Sequence, residues 1–198
     1  MIQRHAPAIL GCALLALAAL VAGGCDAVDQ PRSSLVVTEI VPATATGSLA
    51  TSPLRSDVRH AGEDGVLMTA DDAVFEDEVR ITVENRPASA QLGLAPGGPF
   101  GSVTLNAYRV EFEITGEQID SLEGALHAVV PSGESVSLVV VLVTGAAKLE
   151  PPLSSLILGG ELQGDARVTL YGVEQTSGDE IAAEAAIRVH FANWADED

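Results

Sequence analysis

The sequence predicts an all-β fold, an antiparallel β-sandwich of about seven strands. Three observations support this prediction. Short runs of Val, Ile, Leu and Thr recur along the chain, with Gly and Pro between them. In several runs apolar and polar residues alternate, which is typical of a strand with one buried face. Helical periodicity is almost absent.

The strand pattern begins after a short polar segment and continues almost to the end of the chain. The predicted strands are residues 35–41, 78–85, 103–114, 126–130, 136–144, 166–174 and 182–192. Pro42 ends the first, Pro87 ends the second, and the Pro-Ser-Gly of residues 131–133 predicts a turn. Residues 43–53 are predicted to form a loop or a weak edge strand, and residues 94–101 a loop.

Within residues 103–114 the apolar positions change parity. Val103 and Leu105 share one phase, whereas Val110 and Phe112 take the other. A one-residue shift moves side chains to the opposite face of a strand, so we expect a bulge, or a change of sheet, near residues 106–109.

The last three predicted strands differ from one another in their expected position in the fold. Residues 136–144 are the most apolar stretch after the leader and predict a central strand covered on both faces. The last two predicted strands should pair as an antiparallel hairpin, with Gly172 as a candidate bulge. A helical turn at residues 180–186 is an alternative, because Ala and Glu favour helices.

From about residue 35 to residue 194, this pattern resembles an immunoglobulin or fibronectin type III module. The chain lacks the Cys-Trp-Cys spacing of antibody domains, so the resemblance is one of architecture and implies no activity.

The first 24 residues read as a secretory signal. Basic Arg4 comes first, an apolar run follows at residues 9–21, and Ala-Gly-Gly then precedes Cys25. The run is about thirteen residues, shorter than the ~20 that a membrane span requires. Its end resembles the lipobox of bacterial lipoproteins, although Ala22 stands where that family most often has Leu. The alternatives are an uncleaved anchor and cleavage by an ordinary signal peptidase.

The lipoprotein resemblance implies cleavage after Gly24 and a diacylated Cys25 as the new N-terminus. Two or more acyl chains hold a protein stably to a membrane. Residues 25–34 would form the tether, and residues 195–198 an acidic tail. Residues 72–78 and 148–153 also resemble segments of uncharacterised proteobacterial lipoproteins. The expected location is the cell envelope, at the inner or the outer membrane.

The charge and the cysteines narrow the range of functions. A formal net charge of −18 repels phosphate groups, so we expect no nucleic-acid partner. The two cysteines, Cys12 and Cys25, both precede the predicted domain, which therefore holds no disulfide.

Sequence motifs for catalysis are missing. The chain has no His-Glu-x-x-His, Gly-x-Ser-x-Gly, Ser-x-x-Lys or phosphate-loop motif. Besides His5 in the leader, the histidines are His60, His127 and His190, and we interpret the last two as structural. A Ser-His-acid triad is defined by geometry, so the sequence leaves it open. The expectation is a protein that is not an enzyme.

One loop has the composition of a cation site. Residues 56–77 are acidic, and residues 62–72 resemble the Asp-Gly…Thr-x-Asp-Asp segments of secreted bacterial proteins that bind Ca²⁺. An EF-hand frame centred on Gly65 fails, because His60 and Gly62 stand where its first two acids belong. The alternative is a solvated acidic loop. The candidate ligands are Asp64, Asp71 and Asp72, with Asp77 as a fourth choice.

Two hypotheses of function follow. The first is a lipid-anchored, non-catalytic envelope protein, an interaction or structural module without a cofactor, whose partners are the membrane and an envelope protein. The alternative is a surface lipoprotein that binds Ca²⁺ through residues 63–77. Glycan binding has less support, because only 4% of the residues are aromatic.

Overall fold

The computed structural model describes residues 32–43, 53–89, 95–98 and 100–194. Eight strands are found in these residues: β1 Ser33–Ala43, β2 Leu54–Asp57, β3 Asp77–Pro87, β4 Val103–Ile114, β5 Leu122–Val130, β6 Ser135–Val143, β7 Glu161–Glu174 and β8 Glu180–Ala192. A short helix, α1 (Gly145–Lys148), and a 3₁₀ helix at Leu153–Leu158 connect β6 to β7. The structure is mostly β, in agreement with the predicted all-β class.

The strands form two sheets around one core. The smaller sheet has the order β1-β3-β6, and the larger has the order β2-β8-β7-β4-β5. Every pair is antiparallel except β2 with β8, which is parallel. Alternate side chains of both sheets point inward, and Ile81 of β3 and Val168 of β7 are fully buried in the same cluster. The predicted hairpin of the last two strands is confirmed as β7 and β8.

The predicted bulge in β4 is confirmed. The register of β4 shifts between Leu105 and Ala107 against both of its neighbours, which makes Asn106 the extra residue. Asn106 is exposed, whereas Leu105 and Tyr108 on either side of the bulge are buried. The extra residue thus lets both halves of the strand face the core despite their opposite parity.

Two predictions about the last strands are wrong. Residues 180–186 form no helical turn, because β8 begins at Glu180 and pairs with β7 along its length. Tertiary pairing here overrides the helical preference of Ala and Glu. Gly172 does not bulge either; it lies opposite the β4 bulge. A Cβ atom at Gly172 would lie 2.8 Å from the Thr104 carbonyl oxygen, so the glycine permits a close backbone approach.

The placement of residues 136–144 as a central, doubly covered strand is also wrong. Among the described strands, β6 pairs with β3 alone and forms an edge of the smaller sheet. Val140 is 3% exposed and faces the core, whereas its neighbour Val139 is 49% exposed. Pro42 does not end β1, which continues to Ala43, because β1 is an edge strand and tolerates a residue without an N–H.

Replacing Val140 with Asp should bury an unpaired carboxylate and destabilise the domain by several kcal/mol, a large part of the stability of a typical domain. Val139→Asp is the matched control, because it places the same charge one residue away on the exposed face. Urea unfolding followed by circular dichroism compares them. Equal midpoints for the two variants would contradict the orientation of β6.

Candidate functional site

The anchor residues of the sequence analysis lie outside the described part of the chain. Gly24, Cys25 and the tail at residues 195–198 are therefore not placed, and the acyl anchor stays a prediction. Among the residues that the structure does describe, no helix is long and apolar enough to cross a membrane.

The acidic loop connects β2 to β3 and is closed by a two-residue bridge. His60 N–H donates to the Ala73 carbonyl at 2.9 Å, and Ala73 N–H donates back at 3.1 Å. Inside the loop, Gly65 has a φ of 64°, which favours glycine. A Cβ atom at Gly62 would lie 2.1 Å from Asp71 Oδ2. The two glycines thus allow the chain to fold tightly around its own carboxylates.

The three candidate ligands meet around one hydroxyl group. Thr69 Oγ1 lies 2.6 Å from Asp71 Oδ1, 3.2 Å from Asp72 Oδ1 and 3.5 Å from Asp64 Oδ1. The hydrogen bond from Thr69 holds the pKa of Asp71 below its usual value. The structure therefore brings Asp64, Asp71 and Asp72 together around Thr69, and their role as cation ligands stays a prediction.

These carboxylates also have protein partners. Asp72 Oδ2 accepts from Met68 N–H at 2.7 Å and lies 3.3 Å from Arg59 Nε. Asp64 Oδ1 accepts from Val66 N–H at 2.8 Å. Over the described ranges, no group of three or more His, Cys, Asp or Glu side chains has an arrangement that could hold a metal ion.

The structure places Asp77, the fourth candidate, in a different group, which we call the lysine cluster: Ser56, Asp57, Asp77 and Lys148. Lys148 Nζ donates to Asp77 Oδ1 at 3.0 Å and to the Asp57 carbonyl at 2.7 Å. Ser56 Oγ donates to Asp77 Oδ2 at 2.6 Å. Asp77 is therefore a partner of Lys148 and not a member of the group around Thr69.

Burial governs the electrostatics of the lysine cluster. The Lys148 side chain is 1% exposed and that of Asp77 is 12% exposed. Desolvation raises the pKa of Asp77, and the positive charge of Lys148 opposes this shift. Helix α1 places the lysine here, and Thr144 caps it by accepting from Ala147 N–H at 3.1 Å.

The histidines interpreted as structural lie in β5 and β8. His190 Nε2 is 2.8 Å from Glu161 Oε2, and its ring meets the edge of Trp194 with centroids 4.8 Å apart. Arg55 stacks on Trp194, with its guanidinium carbon 4.1 Å from the ring centroid. His127 is an exposed residue of β5. No sequence pattern indicated the contact between Arg55 and Trp194.

A shallow groove lies on the outer face of the larger sheet, beside the β4 bulge. Two depressions of about 400 and 430 Å³ share Asn106 and Tyr171 in their walls. Tyr171 is 41% exposed and is the aromatic side chain that both depressions offer to solvent.

Comparison with known proteins assigns no family. No protein-family model and no curated protein matches the chain. A solved structure from Archaeoglobus fulgidus aligns with a TM-score of 0.36 and 11% identity, over 64% of this chain and 90% of its own. A Bordetella pertussis protein described as ApaA aligns with a TM-score of 0.35 and 13% identity, over 81% of this chain and 94% of its own. Both scores are too low to carry an argument about fold family or function.

Replacing Asp77 alone should destabilise the domain more than replacing both Asp77 and Lys148. Asp77→Ala leaves Lys148 buried without its carboxylate, which should cost about 3–5 kcal/mol. The combined variant Asp77→Leu, Lys148→Met replaces the pair with apolar side chains and should lose less stability. Urea unfolding of the three proteins tests this order. A combined variant no more stable than Asp77→Ala would mean that packing, and not uncompensated charge, sets the loss.

Proposed function

We propose that the protein is a lipid-anchored, non-catalytic component of the cell envelope, whose β domain acts as an interaction or structural module. The observation that carries the proposal is the short separation along the chain between a lipobox-like segment at residues 22–25 and the first strand of the β domain, which begins at Ser33. In this proposal the two packed sheets form an immunoglobulin-like sandwich. The parallel pairing of β2 with β8 departs from a purely antiparallel arrangement.

The distance between anchor and domain is short. Arg32 N–H already donates to the buried Glu174 carboxylate at 2.7 Å, and Ser33 begins β1. The tether, predicted as residues 25–34, would then shorten to residues 25–31, which span at most about 25 Å when extended. The end of the domain that holds Ser33 would therefore lie beside the membrane.

The acidic loop would lie at the opposite end. In the antiparallel pair of β1 and β3, Ser33 lies opposite Pro87, and Ala43 lies opposite Glu78. An 11-residue strand spans roughly 35 Å, so the start of β3 and the loop that precedes it are far from the anchor. A partner in the envelope would approach this membrane-distal end.

Cys25→Ser should abolish the acyl anchor. Cells that express the full chain with this change should show no incorporation of labelled fatty acid into the protein, and the precursor should keep its leader. Parent protein should stay with membranes in high salt and enter solution only with detergent. Acylation of the Cys25→Ser variant, or release of the parent by salt alone, would contradict the proposed anchor.

A second candidate function is Ca²⁺ binding at the membrane-distal end. In its favour, Asp64, Asp71 and Asp72 gather around Thr69, and hard cations take several carboxylate oxygens. Against it, the described side chains are not arranged as a ready-made metal site, so a cation would have to draw the three carboxylates closer. An extracellular site of this kind binds at about 10⁻⁴ to 10⁻³ M. The ion would relieve the repulsion among the three carboxylates.

Calcium at ten times its dissociation constant should stabilise the folded domain by about 1.4 kcal/mol, which raises the melting temperature by a few degrees. Na⁺ at matched ionic strength controls for screening of the excess negative charge. Mg²⁺ controls for ion size, because it demands octahedral geometry. If the Asp71→Asn, Asp72→Asn variant gains as much from Ca²⁺ as the parent, this loop is not the site.

A further inference from the structure

The lysine cluster contains the only lysine of the chain. The other nine basic residues are arginines, and they carry the remaining ion pairs of Lys or Arg in the described residues. For a buried ion pair alone, arginine is the usual choice, because it is weakly hydrated and offers several donors. Lysine adds a property that arginine lacks, an amine that becomes a nucleophile when it loses its proton.

The amine and the carboxyl group are in direct contact. Lys148 Nζ lies 3.0 Å from Asp77 Oδ1, the oxygen bonded to the carbon that the amine would attack. Groups held together in this way react with high effective concentration. Three separate segments, β2, β3 and α1, supply the partners that fix this geometry. Water has little access, since the Lys148 side chain is 1% exposed.

We propose that Lys148 and Asp77 condense after folding into an intramolecular amide, which links α1 covalently to the start of β3. A proton first passes from the Lys148 ammonium to Oδ1 of Asp77, which gives a neutral amine and a carboxylic acid. Nζ then attacks Cγ, and the new C–N bond forms. The Cγ–Oδ1 bond breaks, and Oδ1 leaves as water with the transferred proton and a second proton from Nζ.

The surroundings favour the protonated carboxyl group that this reaction requires. Desolvation raises the pKa of Asp77, against the opposing charge of Lys148, and so favours its protonated, electrophilic form. Ser56 Oγ, 2.6 Å from Oδ2, donates to the oxygen on which negative charge develops when Nζ attacks.

The hydrogen bonds of the cluster also suit the product. An amide has one N–H donor and one carbonyl acceptor. Its N–H would donate to the Asp57 carbonyl, which lies 2.7 Å from Nζ, and its carbonyl oxygen, Oδ2, would accept from Ser56 Oγ. The reaction therefore leaves both groups satisfied and requires no new partner.

The cross-link would join two distant parts of the chain covalently, which the cysteines of this protein cannot do within the domain. Cys12 and Cys25 both precede β1, so no disulfide can join two strands. Lys148 and Asp77 are 71 positions apart, and joining them would restrict the unfolded chain as a long-range disulfide does. This inference is independent of the proposed function, because it concerns the domain whether or not it is anchored.

Mass spectrometry of the purified full chain tests the cross-link. After denaturation, cleavage at arginine places Asp77 in the peptide of residues 60–80 and Lys148 in the peptide of residues 110–167. We expect one species whose mass is the sum of the two peptides less one water molecule. Fragmentation should locate the bond between Asp77 and Lys148, and reducing agents should not release it.

Two variants sharpen the test. Lys148→Arg keeps the positive charge but cannot form this amide. It also adds a cleavage site, so it should yield residues 60–80, 110–148 and 149–167 as three separate peptides. Ser56→Ala should slow formation of the linked species during refolding. If folded parent protein, verified by circular dichroism, releases only the separate peptides, the pair is an ordinary ion pair and the proposal is wrong. A linked species in Lys148→Arg would also overturn it, because the bond would then involve other residues.

Discussion

The bulge at Asn106 is the constraint on which the packing of the two sheets depends. Without it, the second half of β4 would present its apolar side chains to solvent, because one residue of slip exchanges the faces of a strand. With it, Tyr108 turns inward beside Leu105. The ring of Tyr108 lies over Gly124 of β5, where a Cβ atom would come within 2.1 Å of the ring. Burial raises the pKa of its hydroxyl, and the nearby backbone of Val141 opposes this rise, so that one side chain of the larger sheet reaches the edge of the smaller one.

A second set of contacts organises the opposite end of the sheets. The lysine cluster joins β2, β3 and α1, and the acidic loop leaves and re-enters the domain through Asp57 and Asp77, two of its members. The ends of the loop are thus fixed by buried contacts, while its tip carries exposed carboxylates.

The sequence predicted those parts of the fold that local pattern determines. Strict alternation located β3, and the change of parity located the bulge in β4, because both follow from side chains a few residues apart. The edge position of β6 did not follow, since an apolar run shows that a strand is buried but not which strands lie beside it. The strand β2 was missed because it has only four residues, LRSD, and pairs with β8 over a long sequence separation.

The candidate site also has one part that local sequence predicted and another part that only the fold brings together. Nine consecutive positions contain Asp64, Asp71 and Asp72, so the sequence motif was enough to predict that they lie close together. The pair of Asp77 and Lys148 is separated by 71 positions, and only the fold brings its members to 3.0 Å. The one sequence signal was that lysine occurs once. That signal became interpretable only when burial showed that this residue is not a surface charge.

The pairing of β1 with β3 has a mechanical consequence. β1 is the first strand of the domain, and it pairs with β3 from Ser33 to Ala43 in antiparallel register. A pull on the N-terminal tether against a partner at the far end would run along these two strands. Their hydrogen bonds would then bear the load together, in shear, and not open one after another from the end. Two strands loaded in shear resist separation more than two strands that open from one end.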